Sequence, residues 1–149
     1  MKNFFSFFGV AAGVALLALS IGAQDQPATS TQPHGIVKPG ALPWSDAPPA
    51  LPRGAKIAVL YGDPNAAGPF TIRLKFPAGY KIPLHTHPTD EVVTVISGNV
   101  QFQMGSATAT PEIATPGSLV VMPAGMQHSA SASGEAVLQV SSQGPFVIN

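Results

Sequence analysis

Three of the four histidines in this 149-residue chain fall in two short segments, His85-Thr86-His87 and, just after Pro123-Ala124-Gly125, His128. Glu91 stands four residues beyond His87. Side chains two apart on a strand project from the same face, so His85 and His87 are expected to point together, with Glu91 on the same parity. Pro88 interrupts ladder bonding between them, and a local bend there would still return a carboxylate four residues on toward the imidazoles. Pro123-Ala124-Gly125 reads as a turn that delivers His128 from a distant strand. Neutral imidazoles with one carboxylate suit a divalent transition metal, which makes His85, His87, Glu91 and His128 the candidate ligands. A metal that prefers six ligands would keep two positions for water, dioxygen or a bidentate oxygen donor. Iron or manganese fits oxygen chemistry best with this donor set, while zinc, copper and nickel would also be held. Glu91 doubles as a candidate catalytic group that shuttles a proton. His34 lies in a proline-rich stretch and is read as meeting water.

The elements that must position these groups are short strands. Lys56–Tyr61 and Phe70–Phe76 alternate apolar and polar residues and end at Gly and Pro punctuation. Tyr80–His85, Val92–Ile96, Val100–Met104, Leu119–Met122, His128–Ala132, Ala136–Val140 and Phe146–Ile148 follow the same pattern, and the segment after the leader offers no ten-residue helical window. Many short strands in so short a span point to an all-β antiparallel sandwich or barrel. On the second of them Phe70, Ile72, Leu74 and Phe76 should face inward, which turns Arg73 and Lys75 outward and leaves no evident anion clamp. Val93, Val95, Val100, Phe102 and Met104 are expected to form an apolar interior that would favour an aromatic or otherwise apolar small substrate, while for each residue taken singly plain core packing is the favoured reading. Tyr80, Met126 and Gln127 flank the ligands and are candidates for orienting them. Asp90 reads as a surface charge.

Composition narrows the function. With 45% hydrophobic residues, seven basic and seven acidic groups, the chain is one ordinary domain and is not disordered throughout. Seven scattered Lys and Arg supply no basic stripe, so nucleic acid is not an expected partner. The absence of cysteine removes disulfides, thiolate metal sites and a cysteine nucleophile. There is no nucleophile elbow, phosphate loop or dinucleotide fingerprint. Phe4 to Gln24 carries no charge and follows Met1-Lys2-Asn3, the pattern of a secretory signal with cleavage expected after Ala23. An uncleaved membrane anchor is the rival reading of that run. Residues 24–53, rich in Pro, Ser, Thr and Gln, read as a tether or wrapping arm that Trp44 and Leu51 can dock. Residues 54–149 form the expected barrel domain. Export would place it in the periplasm or outside the cell, clear of the membrane once the leader is removed.

The same residues carry a resemblance to the cupin superfamily. Gly79, His85, His87, Glu91 and Gly98 fit the spacing of the first cupin motif, and Gly117, Pro123, Gly125 and His128 that of the second, with Ala132 where an asparagine is usual. The resemblance covers residues 54–149. It implies a single-domain double-stranded β-helix (jelly-roll) barrel with a metal held by His85, His87, Glu91 and His128, and it suggests a homodimer. Cupins include dioxygenases, decarboxylases, isomerases and proteins that only bind ligand, so the reaction rests on analogy. The expected function is a metal-dependent oxidoreductase of dioxygenase type acting on a small organic molecule. The alternative is a non-catalytic cupin that binds a metal or small ligand as a sensory or storage module.

Overall fold

The computed structural model describes residues 35–149. The expected leader at 1–23, the first part of the arm and His34 lie outside the described residues. Apart from one turn of 3-10 helix at Pro39–Ala41, the regular elements are ten strands: β1 (Ser45–Asp46), β2 (Lys56–Tyr61), β3 (Gly68–Phe76), β4 (Lys81–His85), β5 (Glu91–Ser97), β6 (Val100–Met104), β7 (Glu112–Ala114), β8 (Leu119–Met122), β9 (His128–Ser131) and β10 (Ala136–Gly144). They form two sheets, one in the order β1-β2-β3-β10-β5-β8 and the other β4-β9-β6-β7. Neighbouring strands pair antiparallel throughout. Among the described residues no helix is long and apolar enough to cross a membrane.

Period-two alternation becomes a core because the ladder registers it across strands. Ile72 lies opposite Val140 and Val140 opposite Val93, while Leu74 faces Leu138, which faces Val95. All six are buried, with Val100, Phe102, Ile82 and Ala130 meeting them from the second sheet. Burying each such side chain stabilises the fold by about 1.5–3 kcal/mol before entropy is charged against it. Phe76, fully buried, sits opposite Ala136 and stacks on Tyr80 at 4.6 Å, so a small residue makes room for two rings. Outward-facing Arg73 donates to Gln139 at 3.2 Å, and Lys75 lies 4.8 Å above the Trp44 ring, docking the arm by a cation–π contact.

The arm also joins the sheet. Ser45 pairs with Ile57 and Asp46 with Lys56, and the Lys56 ammonium reaches the Asp46 carboxylate at 2.7 Å. Tyr80 Oη donates to the carbonyl of Pro52 at 2.7 Å, which fixes the end of the arm against the core. At the β5–β6 turn the backbone of Gly98 has a φ of +73°, and a Cβ there would strike the carbonyl of Glu135 and the Cα of Ala136. That double constraint explains why this motif position is glycine. Ala132 is buried in the core cluster and its backbone pairs with Gly79 and Tyr80, so the position that departs from the cupin pattern contributes packing where a polar group is usual.

One expected strand is absent and two strands were not expected. Phe146–Ile148 is not a strand: β10 runs on to Gly144, and the residues beyond it lie across the loop at Thr86. β1 and β7, only two and three residues long, are too short to show alternation.

Candidate metal centre

His85 is the last residue of β4 and His128 the first of β9, and the two stand directly opposite in the ladder. Glu91 opens β5 in the other sheet, where it pairs with Met122. The centre therefore lies between the two sheets. His87 sits in the intervening loop, not on a strand, so its shared direction with His85 comes from the bend at Thr86–Asp90 and not from continuous parity. That loop is pinned at several points. Gly125 N–H donates to the His87 carbonyl at 2.8 Å, Ala124 N–H to Asp90 Oδ1 at 2.8 Å, and Ser142 Oγ to the Asp90 carbonyl at 2.6 Å. Asp90 is exposed, yet its carboxylate ties the ligand loop to the turn that precedes His128.

All four groups are buried. The donor atoms of His85, His87 and His128 lie within 4.8 Å of one another, an arrangement that can hold a metal ion. Each ring is oriented through Nδ1, which donates to a main-chain carbonyl: His85 to Pro83 at 2.8 Å, His87 to Val147 at 2.7 Å and His128 to Met126 at 2.9 Å. A carbonyl only accepts, so each Nδ1 carries the proton and each neutral ring presents an Nε2 lone pair. Glu91 Oε2 is 3.1 Å from His128 Nε2 and 3.4 Å from His87 Nε2. With a neutral ring both atoms at the shorter contact are acceptors, and His128 Nε2 is buried with no hydrogen-bond partner among the described residues. Two lone pairs face to face require a cation between them, either a proton or a metal. This donor set, carbonyl-oriented imidazoles with a carboxylate, fits a divalent transition metal.

Charge within the cluster is interdependent. Burial pushes the Glu91 carboxyl up, but the imidazoles of His128 and His87 that face it, with a proton on the facing nitrogen, outweigh burial and hold the group at about 2. Burial pulls His128 down, yet its contacts with Glu91 and the Met126 carbonyl leave it above the ordinary histidine range. His85 is lowered by burial, against the opposing pull of its bond to Pro83, with further lowering from the neighbouring imidazoles. Protons and metal compete for the same Nε2 atoms. As pH falls, His128 is thus protonated before His85, and the apparent metal affinity should drop about tenfold per pH unit for each proton displaced. Equilibrium dialysis between pH 8 and pH 5 measures this; an affinity flat across that range would place the metal elsewhere.

Above the centre is a cavity of about 310 Å³. Its floor is His85, His87 and Glu91, and its walls include Leu51, Ile57, Ile72, Leu74, Ile82 and Phe146. Asp46 and Asn65 bring the remaining polar side chains, and among the described residues no Lys or Arg lines it. The inward face of β3 thus serves both core and pocket. Val93, Val95, Val100 and Phe102 pack in the core and Met104 against it, which is the core-packing reading of these residues, and none of them lines this cavity. Of the three flanking candidates, Met126 orients His128 through its main-chain carbonyl, Tyr80 anchors the arm, and Gln127 accepts a backbone bond from Gly105. The pocket contribution of Asp46, Pro48 and Ala50 carried no sequence signal beyond composition.

The family model described as the ChrR cupin-like domain matches residues 32–147. The chain belongs to this cupin family. No curated protein matches it in sequence. Among solved structures, the cupin is similar to an RmlC-like cupin from Shewanella frigidimarina, with 15% identity and a TM-score of 0.60 over 75% of this chain and 92% of that one. KdgF from Halomonas sp. gives 18% identity and a TM-score of 0.60 over 75% and 96%. A cupin 2 domain-containing protein from Halorhodospira halophila gives 21% and 0.55 over 63% and 67%. At these identities the likeness is one of fold, the double-stranded β-helix barrel, and the three buried histidines that can hold a metal are this cupin's own.

Proposed function

We propose that this cupin is an exported, metal-dependent oxidoreductase of dioxygenase type, acting on a small, largely apolar organic molecule. The observation that carries the reading is the convergence of three oriented imidazoles with the Glu91 carboxylate, where His85, His87 and Glu91 form the floor of an apolar pocket that no Lys or Arg among the described residues lines. Iron or manganese held by His85, His87, Glu91 and His128 would supply Lewis acidity and redox chemistry toward dioxygen. The protein's part is to exclude water with the walls formed by Leu51, Leu74 and Phe146, and to hold the ligand rings through their Nδ1 atoms. Glu91, held ionised by its low pKa, offers the site a charged oxygen donor on the pocket floor, and it is the carboxylate placed to take a proton from a substrate bound there. A reaction that places both oxygen atoms in the product draws its electrons from the substrate and needs no separate reductant. Export is supported by the uncharged run from Phe4 to Gln24 behind Lys2.

The test is oxygen uptake by the iron-loaded and manganese-loaded protein with a panel of small apolar alcohols, ketones, enols and phenols. The proposal expects one O2 consumed per substrate and both labelled oxygen atoms recovered in product. Compounds that raise the unfolding temperature while no oxygen is consumed would overturn it in favour of a binding module.

A further inference from the structure

The three histidines are not anchored alike. His85 and His128 each donate Nδ1–H to the carbonyl two residues upstream, Pro83 on β4 and Met126 in the turn that leads directly into β9, so each anchor is local to its histidine. His87 donates instead to Val147, 60 residues further along the chain. The Phe146 ring also lies flat against the His87 ring, with centroids 4.2 Å apart and planes inclined by 16°. One short segment after β10 therefore fixes both the tautomer of His87 and the plane of its ring.

That segment is itself held firmly. Phe146 N–H donates to the Pro64 carbonyl at 2.7 Å, and the Phe146 ring meets Phe70 edge-on at 5.1 Å. Thr86 and Asn149 exchange backbone hydrogen bonds in both directions, at 3.2 and 3.1 Å, immediately beside His87. Gly144, which leads into the segment, packs so closely that a Cβ would run into the carbonyl of Ala66. Phe146 and Ile148 also line the cavity, so the segment forms pocket wall and ligand support at once.

We propose that residues 146–149, with Phe146 foremost, are the positioning element of the metal centre: they hold His87 in its coordinating orientation and thereby set metal affinity. This rests on the reading of His87 as a metal ligand. His87 lies in a loop and its anchor is 60 residues away, so without the Phe146 face and the Val147 carbonyl its ring is free to leave the orientation in which Nε2 meets Glu91 and His128. Groups that orient a ligating histidine in this way typically change metal affinity by about 10- to 100-fold when removed.

The experiment is a cobalt(II) titration of the full chain, reading both the dissociation constant and the visible d–d spectrum. Phe146→Leu keeps an apolar side chain but loses the flat face, and Phe146→Met serves if the leucine variant does not fold. Affinity should fall about 10- to 100-fold with a changed spectrum, and Phe146→Tyr, which keeps the ring, should restore both. Leu138→Ala, in the core away from the cavity lining, should lower the unfolding temperature while leaving affinity and spectrum as in the wild type. If Phe146→Leu binds cobalt with wild-type affinity and spectrum, or is altered no differently from Leu138→Ala, the positioning role is wrong. If His87→Ala binds cobalt as the wild type does, the ligand reading fails and the inference falls with it.

Discussion

Replacing His128 by alanine should abolish stoichiometric metal binding and, with it, any turnover. His128 is the group whose Nε2 is buried without a hydrogen-bond partner among the described residues, 3.1 Å from Glu91 and opposite His85 in the ladder. Loss of an orienting group costs about 10- to 100-fold in metal affinity, and loss of a ligand itself should exceed that, at about 1,000-fold or ~4 kcal/mol. The fold should survive, because β9 keeps its backbone pairs with β4 and β6 and its buried Ala130. Competition of iron(II) or zinc(II) against a chelator of known affinity, alongside circular dichroism, measures both. A folded variant that holds metal within tenfold of the wild type would exclude His128 as a ligand.

The second large effect is on stability. In the metal-free state four buried donors share one small space, and a ligand that binds only the folded form stabilises it by about 4 kcal/mol when present at 1,000 times its dissociation constant. For a domain of this size that corresponds to a rise in unfolding temperature on the order of 15 °C. Chelator should reverse the rise, and His128→Ala should not show it. Acid should erode it, since the proton that His128 takes up as pH falls occupies the Nε2 the metal needs. Calorimetric scans at pH 7.5 and pH 5.5, with and without metal, should show the increment shrinking at the lower pH. An increment unchanged by either acid or the substitution would mean that the metal acts at another place on the chain.

The parts legible in the sequence were those governed by local periodicity and fixed spacing. Phe70, Ile72, Leu74 and Phe76 announce their inward face because alternation on one strand is enough to show it. His85, His87, Glu91 and His128 could be grouped because their residue types are few and their spacing is specific. What escaped depends on distant backbone. The anchor of His87 is a carbonyl 60 residues away, and nothing in His85-Thr86-His87 points to Val147 or Phe146. Asp90 looks like any exposed acid until the Ala124 N–H is placed beside it, 34 residues on. The interior valines of β5 and β6 could not be sorted into pocket or core from parity alone, because both lie on the inward face. Ile57, Ile72 and Leu74 line the cavity at the β2–β3 side, where the arm returns to cover it with Leu51.

The most direct test is the metal content of the untagged protein, purified from the compartment to which the proposed export would deliver it, measured by elemental mass spectrometry beside His85→Ala. The wild type should carry one equivalent of iron or manganese per chain, and the variant almost none. A wild type without bound metal, or a metal retained in full by His85→Ala, would contradict the centre described above and the oxidoreductase reading built on it.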